Sequence, residues 1–338
     1  MFRKKKIYNY LLFFSAISIS ILFAEVFLHI VKYEYQPLNI EVANSSNCSR
    51  CSDWREYHAF KDSSFVYDPN LMWRPKVSSE TIFNKQGFRG ETINSKNLYY
   101  YKILTIGDSN TLGPNTAEDK SWPHYLEELL QKNNKEVVVM NAGVWGYSSF
   151  QGLRRFKDFL PYKPNIVLIS FGSNDASFVF TPDKKWSNQS VALFKFINKF
   201  KLANLLEAVS FKASVAINKT ISMEPAYRVS LEDYEKNLEE MISISRQNNI
   251  IPILLTRPFI GSSNIPFWWK NFAPAYNKVV IKVGQENNVD YIDIYSLFEN
   301  KEDLFIDEGH FSDYGNKVMA EIIYKNLLAL FLKNKIHE

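Results

Sequence analysis

The chain has almost no excess of one charge sign. Its 338 residues carry 40 lysines and arginines against 36 aspartates and glutamates, a formal net charge of +4. Four adjacent basic residues near the N-terminus, at positions 3–6, account for that whole excess. Nucleic-acid-binding domains usually carry a concentrated basic surface, so charge gives no support for a nucleic-acid partner.

Histidine and cysteine are also scarce, with five and two residues respectively. A metal-dependent phosphoesterase would need several histidine ligands, and only one histidine has a plausible functional setting, so we expect no metal site. A phosphate-binding loop of the G-x-x-x-x-G-K-S/T type is missing, which disfavours a phosphate-binding enzyme.

The two cysteines, Cys48 and Cys51, form a C-x-x-C pair in a polar segment. A redox pair of the thioredoxin type would need a strand before it and a helix after it, and the segment offers neither. A zinc site would need two further ligands. If the chain is exported, a local disulfide is the natural interpretation, because that compartment is oxidising.

One long hydrophobic run is present, from Ile7 to Ala24 and on to Val31, with Glu25 and His29 as its only ionisable interruptions. A helix rising about 1.5 Å per residue could cross the roughly 30 Å hydrocarbon core with this run. Basic residues before it predict a cytoplasmic N-terminus. Residues 1–32 are therefore interpreted as a basic cluster and signal anchor that leaves the rest periplasmic or at the cell surface. A cleaved signal peptide is the alternative, but no A-x-A-like site follows.

Residues 33–100 contain prolines and glycines but no long periodic helix. They are predicted to form an extended extracytoplasmic approach segment with a short strand or two. With 46% hydrophobic and 15% aromatic residues, the chain can bury one substantial core. We therefore expect one catalytic domain, over residues 101–335, and find no internal repeat.

From residue 101 onward, short apolar runs alternate with amphipathic stretches. The runs are Ile103–Ile106, Val137–Met140, Ile166–Ser170, Ile250–Leu255 and Val289–Ile294, and the helix-like stretches are 121–132, 150–159, 231–248, 271–287 and 313–332. Such alternation is typical of α/β proteins with a parallel sheet covered on both faces. The sequence predicts a three-layer α/β sandwich with a central parallel sheet of about five strands.

Three of these runs end in polar loops that contain glycine. The loops are 107–110, with the sequence Gly-Asp-Ser-Asn, 141–146, which begins Asn-Ala-Gly and ends at Gly146, and 172–175, with the sequence Gly-Ser-Asn-Asp. In open α/β sheets, functional loops lie at the carboxyl ends of the strands. These loops are expected to converge on one edge of the sheet.

A serine in such a loop becomes a nucleophile only beside a general base that a third group orients. Four of the five histidines have other settings: His29 in the span, His58 near it, His124 in a helix-like stretch and His337 at the C-terminus. His310 remains, in a loop that also carries Asp307 three residues earlier. A lone D-x-x-H is weak, and a surface loop that caps the last helix would explain it equally well.

Taken together, these loops and the D-x-x-H segment resemble, in order and position, the four sequence blocks of the GDSL/SGNH hydrolase family, over roughly residues 100–335. The resemblance implies an SGNH-hydrolase, flavodoxin-like fold and a serine esterase that requires no metal or organic cofactor. It implies that Ser109 attacks the ester carbonyl, that His310 moves the proton and that Asp307 orients His310. The oxyanion hole would consist of the backbone N–H groups of Ser109 and Gly146 and the side-chain amide of Asn174.

The chain departs from the family pattern at two positions. Asn110 stands where leucine is usual, and Phe311 follows His310 in place of proline. Neither position carries the chemistry, so we expect them to affect loop packing.

An insertion at about 176–230 exceeds what a minimal fold of this kind needs. It contains Phe178, Phe180 and Trp186 and a lysine-bearing apolar stretch at 192–217, and Trp268 and Trp269 lie further along. These aromatic residues could form a lid or a substrate platform. Packing against the core, or resting on the membrane surface, explains them equally well.

The resulting hypothesis is a membrane-anchored hydrolase whose substrate is an O-acyl or O-acetyl ester on a cell-envelope carbohydrate. Lipid and thioester substrates remain open. An O-acyltransferase that uses the same serine, or a noncatalytic carbohydrate-binding protein on the same scaffold, are the alternatives. The sequence does not indicate an oligomeric state.

Overall fold

The computed structural model describes most of the chain. The described residues are 2–33, 65–68, 70–77, 81–94, 97, 99–113, 117–132, 136–179, 182–184, 200–203, 205–206, 209, 226–260, 267–307 and 309–334. They divide into two compact units, one of residues 1–39 with 188–223 and one of residues 40–187 with 224–338. The predictions on Cys48, Cys51, His58, Phe180, Trp186 and His337, and on the side chains of Phe178, Trp268 and Trp269, fall outside what is described.

The first unit contains helix α1, Phe2–Ile30. Its segment Tyr8–Ile30, with a mean hydropathy of 2.3, is long and apolar enough to cross a membrane. Glu25, the acidic residue of this segment, is not left unpaired: its carboxylate accepts from the backbone N–H groups of Lys201 and Leu202, both at 2.8 Å. His29 lies 3.1 Å from the same carboxylate. These bonds offset much of the cost of a carboxylate in an apolar setting.

The second unit contains nine strands among its described residues. They are β1 Phe65–Asp68, β2 Met72–Pro75, β3 Tyr101–Gly107, β4 Val137–Asn141, β5 Ile166–Ser170, β6 Phe178–Val179, β7 Ala226–Tyr227, β8 Ile251–Leu255 and β9 Tyr291–Ile292. Five of them form one parallel sheet in the order β4-β3-β5-β8-β9, with β3 directly bonded to β4 and β5. The predicted five-stranded parallel sheet is confirmed, and its order is the flavodoxin-like one.

Seven further helices follow α1 among the described residues. They are α2 Ser109–Leu112, α3 Trp122–Gln131, α4 Ser149–Phe159, α5 Leu231–Gln247, α6 Phe267–Glu286, α7 Ile294–Phe298 and α8 Asp313–Asn334. The last strand is shorter than its apolar run predicted, because Asp293 accepts from the Ser296 N–H at 3.3 Å and begins α7 at Ile294. An aspartate cap of this kind ends the strand.

Successive side chains of each strand point to opposite faces of the sheet. On β3, Leu104 and Ile106 belong to a core that includes apolar residues of α4, α5 and α6. Ile103 belongs to a second core, with residues of α3, α7 and α8. Two separate cores, one on each face, make the three predicted layers.

The described part of the approach segment packs into the first of these cores. β1 and β2 form an antiparallel hairpin, and Trp73 and Phe88 are fully buried. The Arg89 backbone N–H donates to the Asn141 carbonyl on edge strand β4 at 2.9 Å. The segment thus covers part of an exposed sheet edge, which would otherwise be open to pairing with another chain.

A buried ion pair joins the two ends of the insertion. Strands β6 and β7 pair antiparallel, and beyond them the Arg228 Nε lies 2.9 and 3.0 Å from the two carboxylate oxygens of Asp183. Both side chains are completely buried. The next residue, Lys184, makes an ion pair with Asp233 at 2.8 Å, but this pair lies at the surface.

We expect Asp183→Ala to lower the free energy of unfolding by about 3–5 kcal/mol, because it leaves the Arg228 guanidinium buried without a counter-charge. The matched control is the neighbouring Lys184→Ala, which removes a surface pair and should cost less than about 1 kcal/mol. Denaturant unfolding of the purified full chain, followed by circular dichroism, measures both. Equal losses from the two variants would contradict a special role for the buried pair.

Candidate active site

Ser109 lies at the point where β3, an inner strand of the sheet, turns into a short helix. β3 ends at Gly107, and Asp108 caps α2 by accepting from the Asn110 N–H at 2.8 Å. Gly113 ends the helix in the left-handed conformation, with φ +71°. The first N–H groups of a helix have no acceptor within it, so the Ser109 N–H belongs to a set that can donate hydrogen bonds to groups outside the helix.

The loop before α8 carries His310 to this serine. The His310 Nε2 lies 2.8 Å from the Ser109 Oγ. On the other side of the ring, Nδ1 lies 2.7 and 2.9 Å from the two oxygens of Asp307. The structure therefore brings together the serine, histidine and aspartate that the sequence predicted, across 201 positions of the chain.

Asp307 is held as a carboxylate. Partial burial raises its pKa, but the hydrogen bond and charge of His310, together with the backbone N–H groups of Gly309 and His310, bring the pKa down to about 2. An ionised Asp307 accepts from Nδ1 and leaves Nε2 to receive the serine proton. The arrangement is chemically competent for nucleophilic attack by Ser109.

The other two predicted site residues lie in the loops after β4 and β5. Gly146 has φ +71°, a conformation that glycine adopts without strain. Asn174 is buried, and its Nδ2 donates to the Tyr147 carbonyl at 3.0 Å, which links the two loops. The loop after β4 also packs directly on α2: a Cβ at Gly143 would lie 2.3 Å from the Leu112 backbone nitrogen.

Two buried arginines, which the sequence reasoning missed, bind the loops that carry the site residues. The Arg257 Nε lies 2.9 Å from an oxygen of Asp108, and its Nη1 donates to the Gly309 carbonyl at 2.9 Å. The Arg228 Nη1 donates to the Gly146 carbonyl at 2.6 Å. Arg257 follows the fourth apolar run, so considering the end of that strand with the other three would have pointed to it.

Trp145 is a further residue of this region that the sequence did not single out. Its ring centroid lies 5.7 Å from that of His310, with the two planes tilted by 43°. The Trp73 Nε1 donates to the Trp145 backbone carbonyl at 2.9 Å. A partly buried indole therefore stands beside the candidate base.

His124, by contrast, is outside this constellation. It lies on α3, 3.6 Å from Glu128, and it lines a cavity of about 330 Å³ beside edge strand β4, together with Glu91 and Glu127. Neither Ser109 nor His310 lines this cavity. Among the described residues, no three histidine, cysteine, aspartate or glutamate side chains are grouped so that they could hold a metal ion.

Asp175, next to Asn174, is a fully buried carboxyl group. One oxygen accepts from the Ser149 N–H at 2.9 Å and from the Ser149 hydroxyl at 2.5 Å, and the other accepts from the Gly172 N–H at 3.2 Å. Burial raises the pKa of Asp175 to about 7, although the two hydrogen bonds from Ser149 and the charge of Arg228 oppose the shift.

Comparison with known proteins adds an independent observation. The sequence profile of the GDSL-like lipase/acylhydrolase family matches residues 105–318. An arylesterase of Vibrio mimicus is 25% identical over 155 residues, which are 46% of this chain and 71% of the relative.

Solved structures give similar matches. A lipase/acylhydrolase from Enterococcus faecalis is 24% identical, with a TM-score of 0.47 and coverage of 67% of this chain and 94% of that one. The acetylxylan esterase Axe2 from Geobacillus stearothermophilus is 22% identical, with a TM-score of 0.46 and coverage of 67% and 93%.

The raised pKa of Asp175 predicts a pH dependence of stability. Between about pH 4 and pH 7 the folded chain retains a proton on Asp175 that the unfolded chain has lost, so this contribution to stability is complete below about pH 4 and falls as the pH rises. The thermal unfolding temperature of the wild type should therefore fall more steeply from about pH 5 to pH 7 than that of Asp175→Asn, which has no such proton. Parallel pH profiles for the two proteins would contradict the shift.

Proposed function

The chain belongs to the GDSL-like lipase/acylhydrolase family and is an ester-hydrolysing enzyme, and we propose that it acts through an acyl-enzyme on Ser109. The observation that carries this proposal is the 2.8 Å separation of the Ser109 Oγ and the His310 Nε2, with Asp307 on the far side of the ring. Because the chain is an ester-hydrolysing enzyme, the noncatalytic binding role that the sequence left open is excluded.

The reaction proceeds in two halves. The Ser109 Oγ attacks the ester carbonyl as its proton moves to the His310 Nε2, and the tetrahedral intermediate then collapses. The departing alkoxide takes the proton from His310, which leaves the acyl group on Ser109. Water attacks this acyl-enzyme and gives a proton to His310, which forms a second tetrahedral intermediate. As that intermediate collapses, His310 returns the proton to the Ser109 Oγ, which releases the acid and regenerates the serine.

The negative charge on the tetrahedral oxygen needs donors that are already in place. The Ser109 and Gly146 backbone N–H groups and the Asn174 side-chain amide are proposed to supply them. The bond from Asn174 to Tyr147 uses one amide hydrogen and leaves the second for the substrate oxygen. Each such donor is typically worth about 2.7–4 kcal/mol in the transition state.

The substrate that we propose is an O-acyl ester, most simply an O-acetyl ester, on a cell-envelope carbohydrate. The Trp145 ring beside His310 supports it, because a flat aromatic surface suits the apolar face of a sugar. An acyl group bound to Ser109 could also pass to a sugar hydroxyl, which would make the protein an acyltransferase.

We propose that α1 is an uncleaved anchor that places the enzyme on the extracytoplasmic side. The apolar segment Tyr8–Ile30 and the basic residues before it support this topology, because positive charges are retained on the cytoplasmic side.

Hydrolysis of p-nitrophenyl acetate by the purified full chain tests the role of Ser109. Ser109→Ala should lower kcat by at least about 10³-fold and abolish labelling by a fluorophosphonate, since the nucleophile is gone. Ser245→Ala is the matched control: this buried serine on α5 donates to the Met241 carbonyl at 2.7 Å and lies outside the site, so activity should be retained. Hydrolysis and labelling that survive in Ser109→Ala would overturn the mechanism.

The same preparation distinguishes the acyl acceptor and the substrate class. Acetylated xylo-oligosaccharides should be deacetylated with release of free acetate, and p-nitrophenyl palmitate should be a poor substrate. Mass spectrometry that finds acetate on an added sugar would instead indicate acyl transfer. Preference for the palmitate would contradict a carbohydrate ester.

Protease accessibility tests the topology. A C-terminal epitope tag should be digested when proteinase K is added to intact spheroplasts, whereas an N-terminal tag should be protected. Without protease, the N-terminal tag should remain attached to the full-length chain. A protected C-terminal tag would contradict the extracytoplasmic placement. A mature chain that has lost its N-terminal tag would indicate a cleaved signal peptide.

A further inference from the structure

We infer that Arg257 is a positioning residue that sets the separation of the nucleophile and the base. The inference rests on the roles proposed for Ser109 and His310. Arg257 lies just after β8, in none of the four segments that carry the family resemblance. Its side chain is nevertheless almost completely buried at the same edge of the sheet.

One end of the guanidinium binds the residue before the nucleophile. The Nε lies 2.9 and 3.2 Å from the two oxygens of Asp108, whose side chain is also almost fully buried. The same Asp108 carboxylate accepts from the Asn110 N–H and caps the helix that Ser109 begins. The position of the Asp108 carboxylate therefore fixes the start of this helix.

The other end of the guanidinium binds the residue before the base. The Nη1 donates to the Gly309 carbonyl at 2.9 Å and to the Pro258 carbonyl at 2.6 Å. Gly309 directly precedes His310 and donates its own N–H to Asp307. A single planar group thus joins the loop of Ser109 to the loop of His310 and Asp307.

The backbone of Arg257 is itself anchored. Its N–H donates to the Asn277 Oδ1 at 2.7 Å, and the Asn277 Nδ2 donates back to its carbonyl at 2.9 Å. Asn277 is buried on α6. Two hydrogen bonds therefore hold the Arg257 backbone against a long helix. From this fixed backbone the guanidinium can act as a rigid spacer.

Charge and shape are both required of the residue at this position. Without a cation, the Asp108 carboxylate would remain buried beside Ser109, where negative charge develops during the reaction. Lysine would restore the charge, but its ammonium group is compact and lacks the planar fork that reaches two separated acceptors. We expect lysine to neutralise Asp108 without holding the Gly309 carbonyl.

Steady-state kinetics of Arg257→Met and Arg257→Lys in the full chain test the inference. A misplacement of about 1 Å can cost about 100-fold in rate, so Arg257→Met should lower kcat and fluorophosphonate labelling by about that factor. The KM should stay within about threefold, because Arg257 has no direct contact with the ester. The kcat of Arg257→Lys should lie between that of Arg257→Met and that of the wild type.

Arg155→Met is the matched control for loss of a buried arginine. Arg155 is similarly buried, but it donates to the Gly87 carbonyl at 2.7 Å in the approach segment. It should lower the thermal unfolding temperature while leaving kcat within about twofold of the wild type. In Arg257→Ala, millimolar guanidinium should restore part of the lost kcat, a rescue that a purely structural defect would not show.

A folded Arg257→Met enzyme with wild-type kcat would overturn the inference, as would an equal loss of kcat in Arg155→Met or a loss confined to KM. These outcomes are distinct from failure of the proposed function. That failure would appear as hydrolysis retained by Ser109→Ala, whatever the Arg257 variants do.

Discussion

A charged side chain that is buried needs a counter-charge and a full set of hydrogen-bond partners. This requirement determines how the loops of the candidate site are placed. Two guanidinium groups, of Arg257 and Arg228, are buried against the carboxylates of Asp108 and Asp183. Each also donates to a backbone carbonyl of a loop, Gly309 in one case and Gly146 in the other. Because an unpaired buried charge is so costly, the loops have few other positions in which these groups would all be satisfied.

Such noncovalent links between loops are needed because a parallel sheet brings the site residues to one edge but does not fix their relative positions. Ser109 follows β3 and Asn174 follows β5, whereas His310 lies in a loop that does not directly follow a strand of the sheet. Loops rich in glycine lose much conformational freedom when they are ordered. The buried pairs, the Asn174 bond to Tyr147 and the close packing of Gly143 on α2 together oppose that loss.

The fold was largely predictable because its signals are local. An apolar run of four to six residues followed by an amphipathic stretch indicates a strand and a helix by itself, and five such units imply the sheet. The last strand was overestimated because the cap at Asp293 competes with strand continuation. The place of the hairpin β1–β2 in the first of the two cores could not be predicted, since the α4 residues of the same core lie far along the chain.

The candidate site was predictable to the extent that its residues form short ordered motifs. Ser109, Gly146, Asn174, Asp307 and His310 were each expected from such a motif, and the structure places Ser109, His310 and Asp307 in contact. The arginines were not expected, because their meaning lies in partners that are distant in sequence: Arg257 and Asp108 are 149 positions apart. A buried arginine and a surface arginine look alike in a sequence.

The two departures from the family pattern illustrate the same limit, because the structure shows that they are one feature. The Phe311 backbone N–H donates to the Asn110 Oδ1 at 3.3 Å. The usual proline after the histidine has no N–H to donate, and the usual leucine after the serine has no oxygen to accept. The centroid of the Phe311 ring lies 5.2 Å from that of Phe298 and 5.5 Å from that of Phe305. These ring contacts also hold the loop that carries His310. Each residue alone looks like a loop variant without consequence; together they add a polar link between the nucleophile helix and the base loop, parallel to the one that Arg257 makes.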